Sequence, residues 1–149
     1  MGPRRGRKVM LLNRPPDVLA AIAAGGAVGS LARWAVASAL PHRPGELAVS
    51  TWIVNVTGAL VIGALMHLVT EVWPPRRLVR PFWGVGVLGG YTTFSTYALD
   101  MHHLLASGEV GRAVIYYLGT VLTGLLAVWL GLVAARAVGN HPSRRRRPE

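Results

Sequence analysis

The chain has 149 residues, 52% of them hydrophobic, with sixteen Lys and Arg against six Asp and Glu and no cysteine. A mean hydropathy of +0.40 with so few acids argues against a water-soluble domain, and the length is that of a single domain. The net charge of +10 lies in the tails and one loop rather than interleaved with aromatics on a folded surface, which argues against nucleic-acid binding, and the lack of cysteine excludes disulfide and thiolate chemistry.

Residues 1–16 form a basic N-terminal tail carrying Arg4, Arg5, Arg7, Lys8 and Arg14. Val18 to Leu40 is the first apolar stretch, interrupted only by Arg33. A basic start, an apolar run and Ala37-Ser38-Ala39 imitate a secretory signal peptide. Arg33 beside the supposed cleavage site, and three further apolar stretches, favour a first transmembrane helix instead. Ala21, Gly25 and Gly29 recur every four residues, a stripe at which another backbone approaches closely. Ala59 and Gly63 repeat the pattern on the second stretch, and Gly124 and Gly131 share a face of the fourth. Such stripes serve packing within one subunit in part, but 18 glycines exceed what that requires and point to at least a dimer.

Pro41 to Glu46 is a turn, and Leu47 to Thr70 is a second span, close to the ~20 residues a bilayer requires. Asn55 lies near its middle. A buried amide in hydrocarbon is costly unless paired, so Asn55 is either a structural interhelical hydrogen bonder or part of a polar pathway. Glu71 to Arg80 is a loop in which Trp73 sits beside Arg76, Arg77 and Arg80, an aromatic anchor next to positive charge.

Pro81 to Ala106 is a third apolar stretch, with Gly89-Gly90-Tyr91-Thr92-Thr93-Phe94-Ser95-Thr96-Tyr97 inside it. Paired glycines followed by hydroxyl residues are poor material for an uninterrupted helix, so this span is expected to break at its centre. One reading is a kink with Thr and Ser bonded back to their own carbonyls. The density of hydroxyls and rings favours a binding or conducting role, because broken backbone at membrane depth survives only where protein or a cavity satisfies it. Gly84 to Gly89 matches G-x-G-x-x-G, but no βαβ unit surrounds it and nucleotide binding is rejected.

After a turn at Ser107–Arg112, Ala113 to Ala135 is the fourth span, with Tyr116 and Thr120 on one face. Residues 138–149 form a basic C-terminal tail, leaving 17–137 as a compact four-helix membrane unit, all α. No Asp, Glu or Lys lies in the central part of a span, and no nucleophile–base pair or metal-ligand cluster is evident, so an enzyme is not expected. Proton-coupled exporters need a carboxylate in the membrane. What remains is neutral donors and aromatic ring edges, which suit a small, strongly hydrated anion that must be able to leave again.

Three ordered segments carry a resemblance. Gly25-Gly26-Ala27-Val28-Gly29-Ser30-Leu31-Ala32-Arg33-Trp34, Thr51-Trp52-Ile53-Val54-Asn55-Val56-Thr57-Gly58 and Gly89 to Tyr97 resemble the first-, second- and third-helix signatures of the Fluc-type (CrcB) fluoride channels. The resemblance implies an antiparallel, dual-topology-type dimer in the cell membrane that passively exports fluoride through two narrow pores. It also implies a structural sodium ion at the dimer centre, held by the backbone carbonyls of Gly89 and Thr92. Asn55 would donate to fluoride and Phe94 would offer its ring edge. Thr93, Ser95 and Thr96 would lie near the path, and Tyr116 and Thr120 would line it from the fourth helix. Arg33 matches the family's first-helix arginine. The chain departs from the family at Tyr97, where a second phenylalanine is usual, and at Asp100, which replaces the usual glutamate.

A chain that inserts both ways should show little Lys/Arg bias, yet the termini and the middle loop carry nearly all the positive charge, with only Arg43 and Arg112 opposite. The positive-inside rule then places both termini in the cytoplasm, and an antiparallel assembly would need a homologous partner inserted the other way. Without such a partner the second subunit would be another copy of this chain. The rival readings are a small four-helix multidrug exporter and a non-transporting membrane scaffold.

Overall fold

The computed structural model describes residues 16–139 apart from Pro44 and Pro75, and among these the ordered backbone is entirely helical. The first helix, α1, spans Pro16–Ala39. Proline suits its first turn because no intrahelical donor is needed there, and Asp17 complements the helix dipole. It ends just before Leu40-Pro41, where the coming proline disfavours helical backbone. The second helix, α2, spans Val49–His67 and runs on as a π-helical turn over Leu68–Val72. A further long helix, α5, spans Val110–Gly139. These three are long and apolar enough to cross a membrane, with mean hydropathies of 1.4, 1.9 and 2.1. Most of the two tails expected at 1–16 and 138–149 lies outside the described residues; Pro16, Val138 and Gly139 are helical.

Between α2 and α5 the chain is segmented. A π-helical stretch covers Arg80–Val87, a single α turn, α3, covers Leu88–Tyr91, and α4 covers Phe94–Ala106. Thr92 and Thr93 between them are extended, at φ −76°, ψ 157° and φ −147°, ψ 124°. A left-handed glycine, Gly108 at φ +76°, then turns the chain into α5.

The glycines of the small-residue stripes are spent on packing inside the chain. A Cβ on Gly25 or Gly29 would collide with the carbonyl oxygens of Phe82 or Val87, so α1 lies backbone to backbone on the Arg80–Val87 segment. Gly63 and Gly131 do the same for α2 and α5, facing the carbonyls of Val128 and Leu60. Gly124, by contrast, faces open space. The stripes therefore hold the subunit together, and the case for a second subunit rests on other surfaces. The buried cluster of Ala48, Tyr97, Leu104, Ala113 and Tyr116 joins α4 to α5. On α1, only 11% of the most apolar window is buried, and Leu31 and Trp34 are exposed. Such a surface is stable only against lipid or another chain.

Candidate functional site

The break at Thr92–Thr93 is closed by one side chain from α2. Asn55 Nδ2 donates to the Thr93 carbonyl at 2.9 Å, and the Thr93 N–H donates to Asn55 Oδ1 at 2.8 Å. The amide thus substitutes for two helix bonds, which is how an apolar environment tolerates the interruption. The Thr92 N–H and Oγ1 both reach back to the Leu88 carbonyl, at 2.9 and 2.8 Å, ending α3. Thr93 then caps α4, its Oγ1 accepting from the Thr96 N–H at 3.2 Å, as a hydroxyl N-cap should. Gly58 makes room for this arrangement, since a Cβ there would overlap the Thr92 methyl.

Because the Thr93 N–H turns to Asn55, the Gly89 carbonyl loses the amide four residues on that a continuous helix would supply. Gly89 itself faces outward, with nothing within 4 Å of its Cβ position. The Thr92 carbonyl accepts a long 3.4 Å contact from Arg33 Nη1. Arg33 therefore points at the break rather than along the helix to its end.

Five of the eight expected pathway residues fall in two cavities, the first shared with the structural Arg33, and Asn55, Phe94 and Tyr97 line neither. Arg33, Thr93, Ser95 and Thr96 line a cavity of about 360 Å³ between α1, α2 and α4, together with Ser50 and Thr51. Tyr116 and Thr120 line another, of about 320 Å³, between α2 and α5. Phe94 stands on the outside, 79% exposed, its ring 5.9 Å from that of Tyr97. Tyr97 is buried against Tyr116, with ring centroids 5.4 Å apart. Its hydroxyl, the group that distinguishes it from phenylalanine, donates to the Tyr117 carbonyl at 3.1 Å. The Thr120 hydroxyl is buried with no protein partner. Gly25 and Gly29 take no part in the site; they seat α1 beneath it.

Sequence reasoning noted Asp100 only as a replacement for the family's usual glutamate and gave it no role. Its carboxylate is 6% exposed, accepting from the Tyr116 hydroxyl at 3.2 Å and lying 3.3 Å from His42 Nε2 in the α1–α2 turn. The signal was there in principle: Tyr97 and Asp100 are three apart, so they share a helix face. Ser50 and Thr51, one turn before Asn55, were missed as well.

The segmented middle and its hydroxyl-rich lining, with Arg33 among it, carried between long apolar helices, mark a multi-pass membrane protein. A family model described as "CrcB-like protein, Camphor Resistance (CrcB)" matches residues 20–132. Among similar chains, "Fluoride-specific ion channel FluC 2" of Nocardia farcinica is 52% identical over 121 residues, covering 81% of this chain and 86% of that one. Two chains of Streptomyces avermitilis, "Fluoride-specific ion channel FluC 2" and "Fluoride-specific ion channel FluC 3", are 48% and 44% identical. They cover 70% and 80% of this chain and 66% and 58% of their own lengths. This chain belongs to the CrcB family.

Proposed function

We propose that the chain is one subunit of a fluoride-selective channel in the cell membrane. Pro81 to Ala106 would serve as a fourth, broken crossing, and a second subunit would pack on it in antiparallel orientation. One observation carries this reading: the break pinned by Asn55 leaves Phe94, a large apolar ring, almost fully exposed beside the hydroxyls of Ser95 and Thr96. A ring in that position presents its positive edge to an anion once a second subunit covers the face. Asn55 has one amide N–H beyond the bond to Thr93, and that hydrogen is the donor offered to fluoride. Ser95, Thr96 and Thr120 supply further hydroxyls, Thr120 unpartnered among the described residues, while Thr93 and Tyr116 line the cavities with hydroxyls that donate to Thr96 and Asp100. Neutral donors replace the ion's water without trapping it. Hydrofluoric acid crosses membranes uncharged and ionises in the cytoplasm, so a passive anion pathway exports it down the negative interior potential.

The structural sodium ion implied by the family resemblance fits the donors present. Gly89 and Thr92 offer neutral carbonyl oxygens, the usual ligands of a hard cation, and the Gly89 carbonyl lacks its helical partner. A sodium ion there would supply a positive charge joining two such breaks. The Arg33 contact to Thr92 occupies one lone pair of that carbonyl and leaves the other.

The charge bias of the chain favours an orientation with both termini cytoplasmic. The opposite subunit is then a homologous chain rather than a second copy. Two numbered FluC chains from one organism are consistent with such a pairing.

Fluoride efflux from liposomes holding this chain alone, with chloride as control, tests both parts. Fluoride-selective efflux abolished by Phe94→Ile supports the channel and sinks the obligatory heterodimer. Silence that a co-expressed homologue relieves supports both. Silence with every homologue tested, from well-folded protein, sinks the channel.

A further inference from the structure

The loop between α2 and α3 holds a site that conduction does not use. A cavity of about 510 Å³ opens there, lined by Val69, Trp73, Arg76, Arg77, Arg80 and Pro81. A second cavity of about 240 Å³ adjoins it, sharing Trp73, Arg76 and Val79 and ending on Trp83. Trp73 directly follows the apolar run that ends at Val72, so the cavity lies at headgroup level, the depth where tryptophan anchors a chain.

The charges at this cavity are unequal in their use. Arg77 is committed, its two terminal nitrogens meeting both oxygens of Asp17 at 3.1 Å, which ties the loop to the start of α1. Arg76 and Arg80 have no carboxylate within ion-pair distance among the described residues. Two uncompensated guanidiniums beside one cavity match the fork geometry of a phosphate. The exposed rings of Trp73 and Trp83 form an apolar aromatic wall to these cavities. A soluble anion has no use for that wall, whereas an acyl chain lies along it.

We propose that this cavity binds an anionic phospholipid, with Arg76 and Arg80 on the headgroup phosphate and Trp73 and Trp83 against the glycerol and upper acyl chain. The bidentate Asp17–Arg77 pair positions the loop and leaves the other two arginines to the lipid. The site stands on this loop alone and does not depend on what the chain conducts.

The test is native mass spectrometry of the detergent-purified full chain exposed to equal amounts of phosphatidylglycerol and phosphatidylcholine. Each arginine near a membrane surface contributes enough that Arg76→Gln with Arg80→Gln should lower the phosphatidylglycerol preference by about thirty-fold. Both side chains are exposed, so the variant should keep the wild-type size-exclusion profile. Arg136→Gln, an exposed arginine on α5 outside the cavity, should leave the preference unchanged. The proposal is overturned by an unchanged preference in the double variant, or by an equal loss in Arg136→Gln, which would mean diffuse charge. Millimolar inorganic phosphate separates the two sources of the anion. Failure to displace the lipid supports the lipid site, and displacement as effective as that by soluble headgroup would make this a free-phosphate site instead.

Discussion

Replacing Asn55 with leucine, nearly the same in volume, removes both hydrogen bonds that close the break. The Thr93 N–H and C=O lose partners at 2.8 and 2.9 Å, and Thr93 is buried, so water does not replace them. An orphaned buried backbone group costs about 1–3 kcal/mol, which for two groups gives about 2–6 kcal/mol. Hydrogen bonds within membranes average nearer ~0.6 kcal/mol because the unfolded chain also finds partners there, which moves the expectation to the lower half of that range. We therefore expect Asn55→Leu to destabilise by about 3 kcal/mol, a factor of roughly 150 in the folding equilibrium. Reversible unfolding in mixed micelles, followed by tryptophan fluorescence, reads this directly. A variant within about 0.5 kcal/mol of wild type would refute the clamp. If that stable variant also lost fluoride efflux, Asn55 would belong to the ion and not to the break.

Three further outcomes are expected. Gly29→Ala places a methyl on backbone atoms of Val87 and Tyr91 and should cost about 1–3 kcal/mol in the same assay, while Gly124→Ala, which meets open space, should be neutral or mildly stabilising. Tyr97→Phe loses only the bond to the Tyr117 carbonyl, so stability should fall by about 0.5–1.5 kcal/mol and efflux should stay within about threefold of wild type; a tenfold drop would mean the hydroxyl serves the ion. Tyr116→Phe removes the buried donor to Asp100 and should cost about 1.5–3 kcal/mol, shrinking sharply in an Asp100→Asn background if the two groups act as a pair.

Much of this arrangement was legible because it is written in composition. Apolar runs gave α1, α2 and α5 to within a few residues, since bilayer thickness leaves little choice of length. The interruption at Thr92–Thr93 falls where paired glycines and hydroxyl residues make poor helix material. Local pattern does not name partners, and there the reading stopped. The glycine stripes of α1 looked like surfaces for another chain, but they face Phe82 and Val87, more than fifty residues away. Asn55 was recognised as a polar group needing a mate, yet that mate is a backbone unit on another segment, invisible to side-chain motifs. Asp100 was given no role because its burial depends on His42 and Tyr116 arriving from two other elements. The π-helical geometry of Arg80–Val87 has no evident trace in the residues that adopt it.

The amide bridge between Asn55 and Thr93 bears on the order of events in biogenesis. The Thr93 N–H and C=O are both answered inside one polypeptide, so this part of the break is closed before any second subunit is required. Under the proposed pairing, two chains would meet as already folded surfaces, the faces of α1 and of the outer side of α4 that are bare in the single chain.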